Sequence, residues 1–212
     1  MKIETMVLGP LKTNCYIAYD EETRNAAVID PAFYPDRILS KLDELGVKCK
    51  YIIFTHAHYD HMLAAQKIIA QTGAKTVCNE KDADALSDIV KCGAGYLPEQ
   101  LFAPVKADIR VKDGDTLSLD SLNLTFIHTP GHTPGSMCIL CDRYMFSGDT
   151  LFYRTIGRWD LPLGDYDVLM NTLKTKIMTI KTDYIVLSGH GERTTLFDEK
   201  ENNEFLLGLS WL

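Results

Sequence analysis

Short apolar runs broken by turn-forming residues dominate the first part of the chain. Tyr16-Ile17-Ala18-Tyr19 and Ala26-Ala27-Val28-Ile29 flank a polar stretch over residues 20–25, and the second run stops at Asp30-Pro31. This pattern predicts two strands joined as a hairpin. Ile38, Leu39, Leu42 and Leu45 then recur at the spacing of one helix face, with Gly46 as the stop signal. Tyr51-Ile52-Ile53-Phe54 is a continuous apolar run of the kind a buried strand shows, and a second helical pattern follows through Met62, Leu63, Ala65, Gln66, Ile68 and Ile69.

Residues 109–111, 116–119, 123–127, 137–140 and 144–146 also read as strands, and Val168, Leu169, Leu173 and Ile177 mark one further helix. A last apolar strand, Tyr184-Ile185-Val186-Leu187, runs into Ser188-Gly189-His190-Gly191. It parallels Tyr51–Phe54 running into Thr55-His56. Two similar strands delivering histidines to one edge fit a fold of two related halves. Phe205, Leu206, Leu207, Leu209, Trp211 and Leu212 form an apolar tail suited to packing on the domain or on a partner.

Composition narrows the class. The 212 residues carry no Pro/Ser-rich linker or charge block, so one domain over 1–212 is expected. A hydrophobic fraction of 46% with 24% charged residues suits a globular chain. The net charge of −7 argues against a nucleic-acid partner, which usually meets a basic face. Met1-Lys2-Ile3-Glu4-Thr5-Met6 lacks the apolar region of a signal peptide, and no window is apolar enough to span a bilayer, so a cytoplasmic protein without membrane contact is expected. The six cysteines follow no disulfide framework, which makes reduced thiols the expectation. Cys138 and Cys141 form a C-x-x-C, but in a strand-like run the two would face opposite sides, which suits neither a redox nor a zinc pair.

The chemistry begins at Thr55-His56-Ala57-His58-Tyr59-Asp60-His61. His56 and His58 are two apart, so on an extended segment leaving a strand they project to the same side and can share one ion. Asp60 and His61 fall where the second helical pattern begins, at an expected helix N-terminus, and can serve a second ion. Imidazole with carboxylate suits zinc, iron or manganese, whereas calcium takes oxygens. His132 in Thr129-Pro130-Gly131-His132-Thr133-Pro134-Gly135, Asp149 in Ser147-Gly148-Asp149-Thr150, and His190 each sit on a loop at a strand end, where ligands from several strands can converge. His128 belongs to the end of its strand and is expected to pack or to support a ligand.

The set THAHYDH, TPGHTPGS, FSGDTLF and SGHG resembles the metallo-β-lactamase-fold superfamily, with the motifs in this order across nearly the full chain. The resemblance implies an α/β fold: a four-layered αβ/βα sandwich of two mixed β-sheets with helices outside and a metal site at one edge. It also implies that His56, His58 and His132 hold one divalent ion, Asp60, His61 and His190 a second, and that Asp149 bridges them. Gly148-Asp149-Thr150-Leu151-Phe152, Ile156-Gly157-Arg158-Trp159-Asp160 and Gly164-Asp165 are similar to the glyoxalase II-like hydrolases of the short, single-domain type. Thr13-Asn14-Cys15-Tyr16, Thr194-Thr195 and residues 199–206 agree with that likeness. The longer proteins of that group carry a helical C-terminal domain after the position of His190, and only a short tail follows it here, which counts against glutathione as the carrier.

Two ions sharing a water lower its pKa from about 15.7 to near 7, and an open metal position can polarise a carbonyl oxygen. The resemblance to glyoxalase II-like hydrolases implies hydrolysis of a hydroxyacyl thioester such as S-lactoylglutathione, with Asp60 and Asp149 as the catalytic carboxylates and two divalent ions as cofactor, zinc first and iron or manganese as alternatives. A leaving thiol of pKa about 8.5 departs without a general acid. Arg158 is a candidate for a substrate carboxylate, although pairing with Asp160 to brace the loop below the metals is the favoured reading. Asp30 is a candidate acceptor for a ligating imidazole. The chain also resembles persulfide dioxygenases, which would use one iron on His56, His132 and Asp149. Lactonase and ribonuclease activity are weaker alternatives, as is metal binding without catalysis.

Overall fold

Alternate residues of a single strand enter two different cores. Cys15, Ile17 and Tyr19 of β2 (Thr13–Tyr19) pack under helices, while Tyr16 and Ala18 face a second sheet. The period of two along a strand makes such a layered arrangement possible. This computed structural model describes residues 1–209, so Trp211 and Leu212 of the apolar tail lie outside the described residues.

The first sheet contains six strands in chain order: β1 (Lys2–Leu8), β2, β3 (Asn25–Ile29), β4 (Lys48–Ile53), β5 (Lys75–Asn79) and β6 (Ile109–Val111). β1 to β3 pair antiparallel and β3 to β6 parallel, so the sheet is mixed. Helix α1 (Pro35–Leu45) opens with a proline at its first position and closes on Gly46 in the left-handed conformation, φ 62°. It connects β3 to β4, and α2 (Ala65–Thr72) connects β4 to β5. Ile38, Leu42, Ala65 and Ile68 bury these helices against the outer face of the sheet.

The second sheet is also six-stranded, and its hairpins come first: β7 (Thr116–Leu119), β8 (Leu122–His128), β9 (Met137–Cys141) and β10 (Tyr144–Gly148) run antiparallel. A two-stranded ribbon of β11 (Leu151–Phe152) and β12 (Thr155–Ile156) leaves this sheet. β13 (Ile185–Ser188) then pairs parallel with β10, and β14 (Thr194–Thr195) closes the edge. Its outer face is covered by α3 (Tyr166–Thr172), continued by a wider turn over Leu173–Ile177, and by α4 (Leu196–Asn202) and α5 (Glu204–Leu209). Leu206 and Leu209 of the tail are buried there, while Leu207 is exposed.

The layers are therefore helix, sheet, sheet, helix, the expected αβ/βα sandwich. Leu124, Phe126, Ile139 and Phe146 meet Ile29, Ile53 and Val77 in the central layer. Cys138 faces the outer helices and Cys141 the central layer, and all six thiols are free and buried. No helix among the described residues is long and apolar enough to cross a membrane.

One local expectation is corrected. Asp60 and His61 do not begin α2; they lie in a separate 3-10 turn, Tyr59–His61, and the helix starts at Ala65. The interruption has a tertiary cause. The backbone N–H of Ala64 donates to the carbonyls of Pro31 and Ala32, at 3.0 and 3.1 Å, instead of to its own turn. β1, β5, the β11–β12 ribbon, β14 and the final helices exceed what the hydrophobic pattern alone predicts.

Candidate metal centre

The carboxyl ends of β3, β4, β5, β8, β10 and β13 lie at one edge of the sandwich, because β8 and β10 run in the same direction and β13 is parallel to β10. The residues that follow these strands converge there. The ligand-capable atoms of His56, His58 and His132 lie within 4.8 Å of one another, as do those of His56, His61 and Asp149, and those of Asp60, His61 and His190. Asp149 sits between the two ends of the cluster, with Oδ2 3.5 Å from His132 Nε2 and 3.5 Å from His190 Nε2.

Four of the imidazoles have their Nδ1 atoms tied outside the cluster. His132 donates to the carbonyl of Arg158 at 2.6 Å and His190 to that of Leu11 at 3.1 Å. His56 Nδ1 meets Thr55 Oγ1 at 3.0 Å, and His61 Nδ1 lies 2.9 Å from Asp30 Oδ2. The carbonyls facing His132 and His190 and the carboxylate facing His61 can only accept, so those rings carry a proton on Nδ1 and turn Nε2 inward, the nitrogen a metal would take. His58 is oriented the other way, with Nδ1 2.8 Å from His132 Nε2.

Asp30 itself accepts from Thr55 N at 2.8 Å and Thr55 Oγ1 at 2.7 Å, so one buried carboxylate fixes both the loop carrying His56 and the ring of His61. At the other end, Thr13 Oγ1 donates to Asp60 Oδ2 at 3.0 Å. Asn14 Nδ2 and Tyr16 Oη donate to the carbonyl of Ser188 at 2.9 and 2.6 Å, which clamps the loop bearing His190 onto β2.

The electrostatics divide the cluster. Burial, with the like charges of His61 and His132, holds His56 neutral well below its usual pKa, and burial with His132 pushes His58 down to about 3. Burial opposes protonation of His61 too, but Asp60, Asp149 and Asp30 outweigh it and hold the group at about 9. His190 is lifted against its burial to about 11 by hydrogen bonds and charge from Asp149 and Asp60. Burial would raise both of those carboxyls, yet His61 and His190 keep Asp60 low, and the same pair with His132 keeps Asp149 well below the carboxylate range.

The two buried carboxylates thus favour positive charge beside them, which divalent cations would supply. His56 Nε2 and Asp149 Oδ1 are buried without any hydrogen-bond partner. Unpaired buried polar atoms are costly, and these two point into the cluster, so the donor set fits divalent metal ions.

Not every candidate joins the cluster. His128 is half-buried and turned away, its Nε2 on the carbonyl of Pro134 at 2.7 Å. Arg158 and Asp160 form a two-point ion pair, 2.9 Å at each contact, on the exposed wall of the cleft. The pattern of the chain did not single out Asp82. This fully buried carboxylate accepts from Ala57 N at 3.0 Å, Thr133 Oγ1 at 2.7 Å and Gly135 N at 2.6 Å, and so joins the His56–His58 loop to the His132 loop. In sequence it is indistinguishable from Asp84, which is exposed and pairs with Arg110.

His58, Asp60, His132, Asp149 and His190 line the floor of a cleft of about 1190 Å³. Tyr59, Val90 and Tyr96 stand on one side, and Phe152, Tyr153 and Ile156 on the other. Cys92 also borders the cleft, but its thiol is fully buried, faces the carbonyl of Ile89 at 3.6 Å, and is pushed up by burial. Among the described residues no serine borders it.

Residues 8–190 match the Metallo-beta-lactamase superfamily. The chain is similar to the hydroxyacylglutathione hydrolase GloC of Haemophilus influenzae, with 33% identity over 217 residues that cover 97% of this chain and 98% of that one. Among solved structures it is similar to the BLEG-1 B3 metallo-beta-lactamase, with a TM-score of 0.90 and 30% identity over 97% of this chain and 99% of the other. It is also similar to TTHA1623 in a di-iron-bound form, with a TM-score of 0.80 and 29% identity over 96% of this chain and all of the other.

Proposed function

Because the chain belongs to the metallo-beta-lactamase superfamily, we propose that its metal centre hydrolyses thioesters in the manner of glyoxalase II, taking a hydroxyacyl thioester of the S-lactoylglutathione type. The observation that carries this reading is a complete set of seven ligand-capable side chains, five of which line an open cleft, with no serine or exposed cysteine among the described residues lining it. His56, His58 and His132 would hold one ion, Asp60, His61 and His190 the other, and Asp149 both; zinc is the proposed metal. Such ions supply a water nucleophile at neutral pH and draw charge from the substrate carbonyl oxygen.

The protein's own groups position the reaction. Asp60, held by Thr13 Oγ1, faces His190 across 3.3 Å and can orient the attacking water through its carboxylate. Water adds to the carbonyl carbon, the C–S bond breaks with its electron pair leaving on sulfur, and the products are a carboxylic acid and a thiol. A thiol of pKa about 8.5 leaves as thiolate with little proton assistance, so no histidine has to be spared from the ligand set.

The similarity to GloC supports the thioester as the bond cleaved. The test is loss of thioester absorbance for S-lactoylglutathione and for esters of a small neutral thiol, with zinc-replete protein and an Asp60→Ala control. Turnover with kcat/KM above about 10⁴ M⁻¹s⁻¹ that disappears in the control is expected. No turnover of any thioester by metal-loaded protein would overturn the proposal. A second reading, one iron on His56, His132 and Asp149 with oxygen chemistry on a persulfide, is favoured by the inward Nε2 atoms of those histidines around Asp149. Metal analysis separates the two, since two zinc ions per chain fit hydrolysis and a single iron fits oxygenation.

A further inference from the structure

Away from the ligand set, the only charged side chains lining the cleft among the described residues are Arg158 and Glu192, and Asp160 already pairs with Arg158 along the Nε–Nη2 edge of its guanidinium. The walls are otherwise aromatic and aliphatic. Several of these side chains stand open to solvent: Tyr96 is 71% exposed, Val90 67% and Tyr153 47%. Large apolar side chains exposed around a reactive centre gain most from a ligand that covers them with apolar surface of its own.

The walls are also held in place. Arg154 lies at the turn of the β11–β12 ribbon that carries Phe152 and Tyr153, in the left-handed conformation at φ 60°. Glu199 of α4, fully buried, accepts from Arg154 N and Nη1 at 2.8 Å each, and also from Thr194 Oγ1 and Asn203 Nδ2 at 2.7 and 2.9 Å. On the opposite wall the hydroxyls of Tyr96 and Tyr59 are hydrogen-bonded. A wall that is already ordered loses little entropy when a ligand docks.

A glutathione carrier would bring two carboxylates and one ammonium into this space. Among the described residues no unpaired cation lines the cleft to receive the carboxylates, Arg158 being neutralised by Asp160, and Glu192 would repel them. From this balance, and resting on the thioesterase reading, we infer that the cleft selects thioesters whose acyl and thiol portions are uncharged and largely apolar, with Asp160 contributing by occupying Arg158.

The experiment uses zinc-replete protein and two comparisons. Lactoyl-N-acetylcysteamine against S-lactoylglutathione varies only the carrier, and acetyl- to octanoyl-N-acetylcysteamine varies only the acyl chain. The neutral carrier is expected to give at least a tenfold higher kcat/KM, and octanoyl at least tenfold over acetyl. Asp160→Asn should narrow the carrier gap at least threefold, through a lower KM for the glutathione ester, and Phe152→Ala should flatten the acyl series. Equal or better use of S-lactoylglutathione, or a flat acyl series in the parent protein, overturns the inference and leaves thioester hydrolysis standing. Failure to cleave any of these esters with metal in place overturns both.

Discussion

Asp30 Oδ2 lies 2.9 Å from Nδ1 of His61, at a position where the backbone of Asp30 itself is left-handed, φ 52°. Asparagine tolerates that conformation, so Asp30→Asn keeps the turn while removing the charge behind the imidazole. Such outer partners typically contribute 10- to 100-fold in metal affinity; a loss of about tenfold is expected in competition with a chromogenic chelator. Unchanged affinity would show that Asp30 serves only the loop at Thr55.

Residue 189 has no room for a side chain. A Cβ there would overlap Asp149 Oδ1 and come within 2.7 Å of His61 Cε1. Gly189→Ala should therefore displace the carboxylate between the two halves of the cluster, at an overpacking cost of about 1–3 kcal/mol. The expected result is a folded protein by circular dichroism that retains less than half of the parent's bound metal.

Asp82 bridges two histidine-bearing loops from a fully buried position. Asp82→Ala strands the amides of Ala57 and Gly135, and each unsatisfied buried donor costs about 1–3 kcal/mol. A destabilisation of about 3 kcal/mol is expected from the urea midpoint of the metal-free protein. A shift below 1 kcal/mol would mean that water replaces the carboxylate.

Asp20 ties the two sheets together at the end away from the histidine cluster. It accepts from the amides of Glu22 and Thr23 at 2.8 and 3.1 Å and from Ser121 in the turn between β7 and β8. The hydroxyl of Ser121, and then these amides, hold its pKa below the usual range. A depressed carboxyl contributes stability above its unfolded pKa of about 3.9 and loses it as pH falls through the folded value. Asp20→Asn should therefore lower the thermal midpoint at pH 7 and make progressively less difference below about pH 4. A constant difference across that range would assign the effect to shape instead of charge.

Much of the arrangement is legible in the chain. Short apolar runs bounded by turn residues mark nine of the strands and helical spacing three of the helices, because both depend only on residues a few positions apart. The ligand set is legible for a related reason: metal chemistry restricts side-chain type, and HAHYDH concentrates four such residues at the exit of one strand. What failed is local in appearance and tertiary in origin. The pattern from Met62 onward is helical, yet the carbonyls of Pro31 and Ala32 capture Ala64 and delay the helix to Ala65.

The sequence by itself determined the periodicities, the kinds of ligand and their positions at strand ends. Only the tertiary structure decided that Asp82 and not Asp84 joins the histidine loops, that His61 is the imidazole Asp30 backs, and that an apolar wall surrounds the candidate metal centre. The Asp82 and Asp30 pairings join groups 25 or more residues apart, and the first is also a choice between side chains identical in type. Neither composition nor local spacing encodes them; they follow from which strand ends the sheets bring to the same edge, and from how much water is left between them.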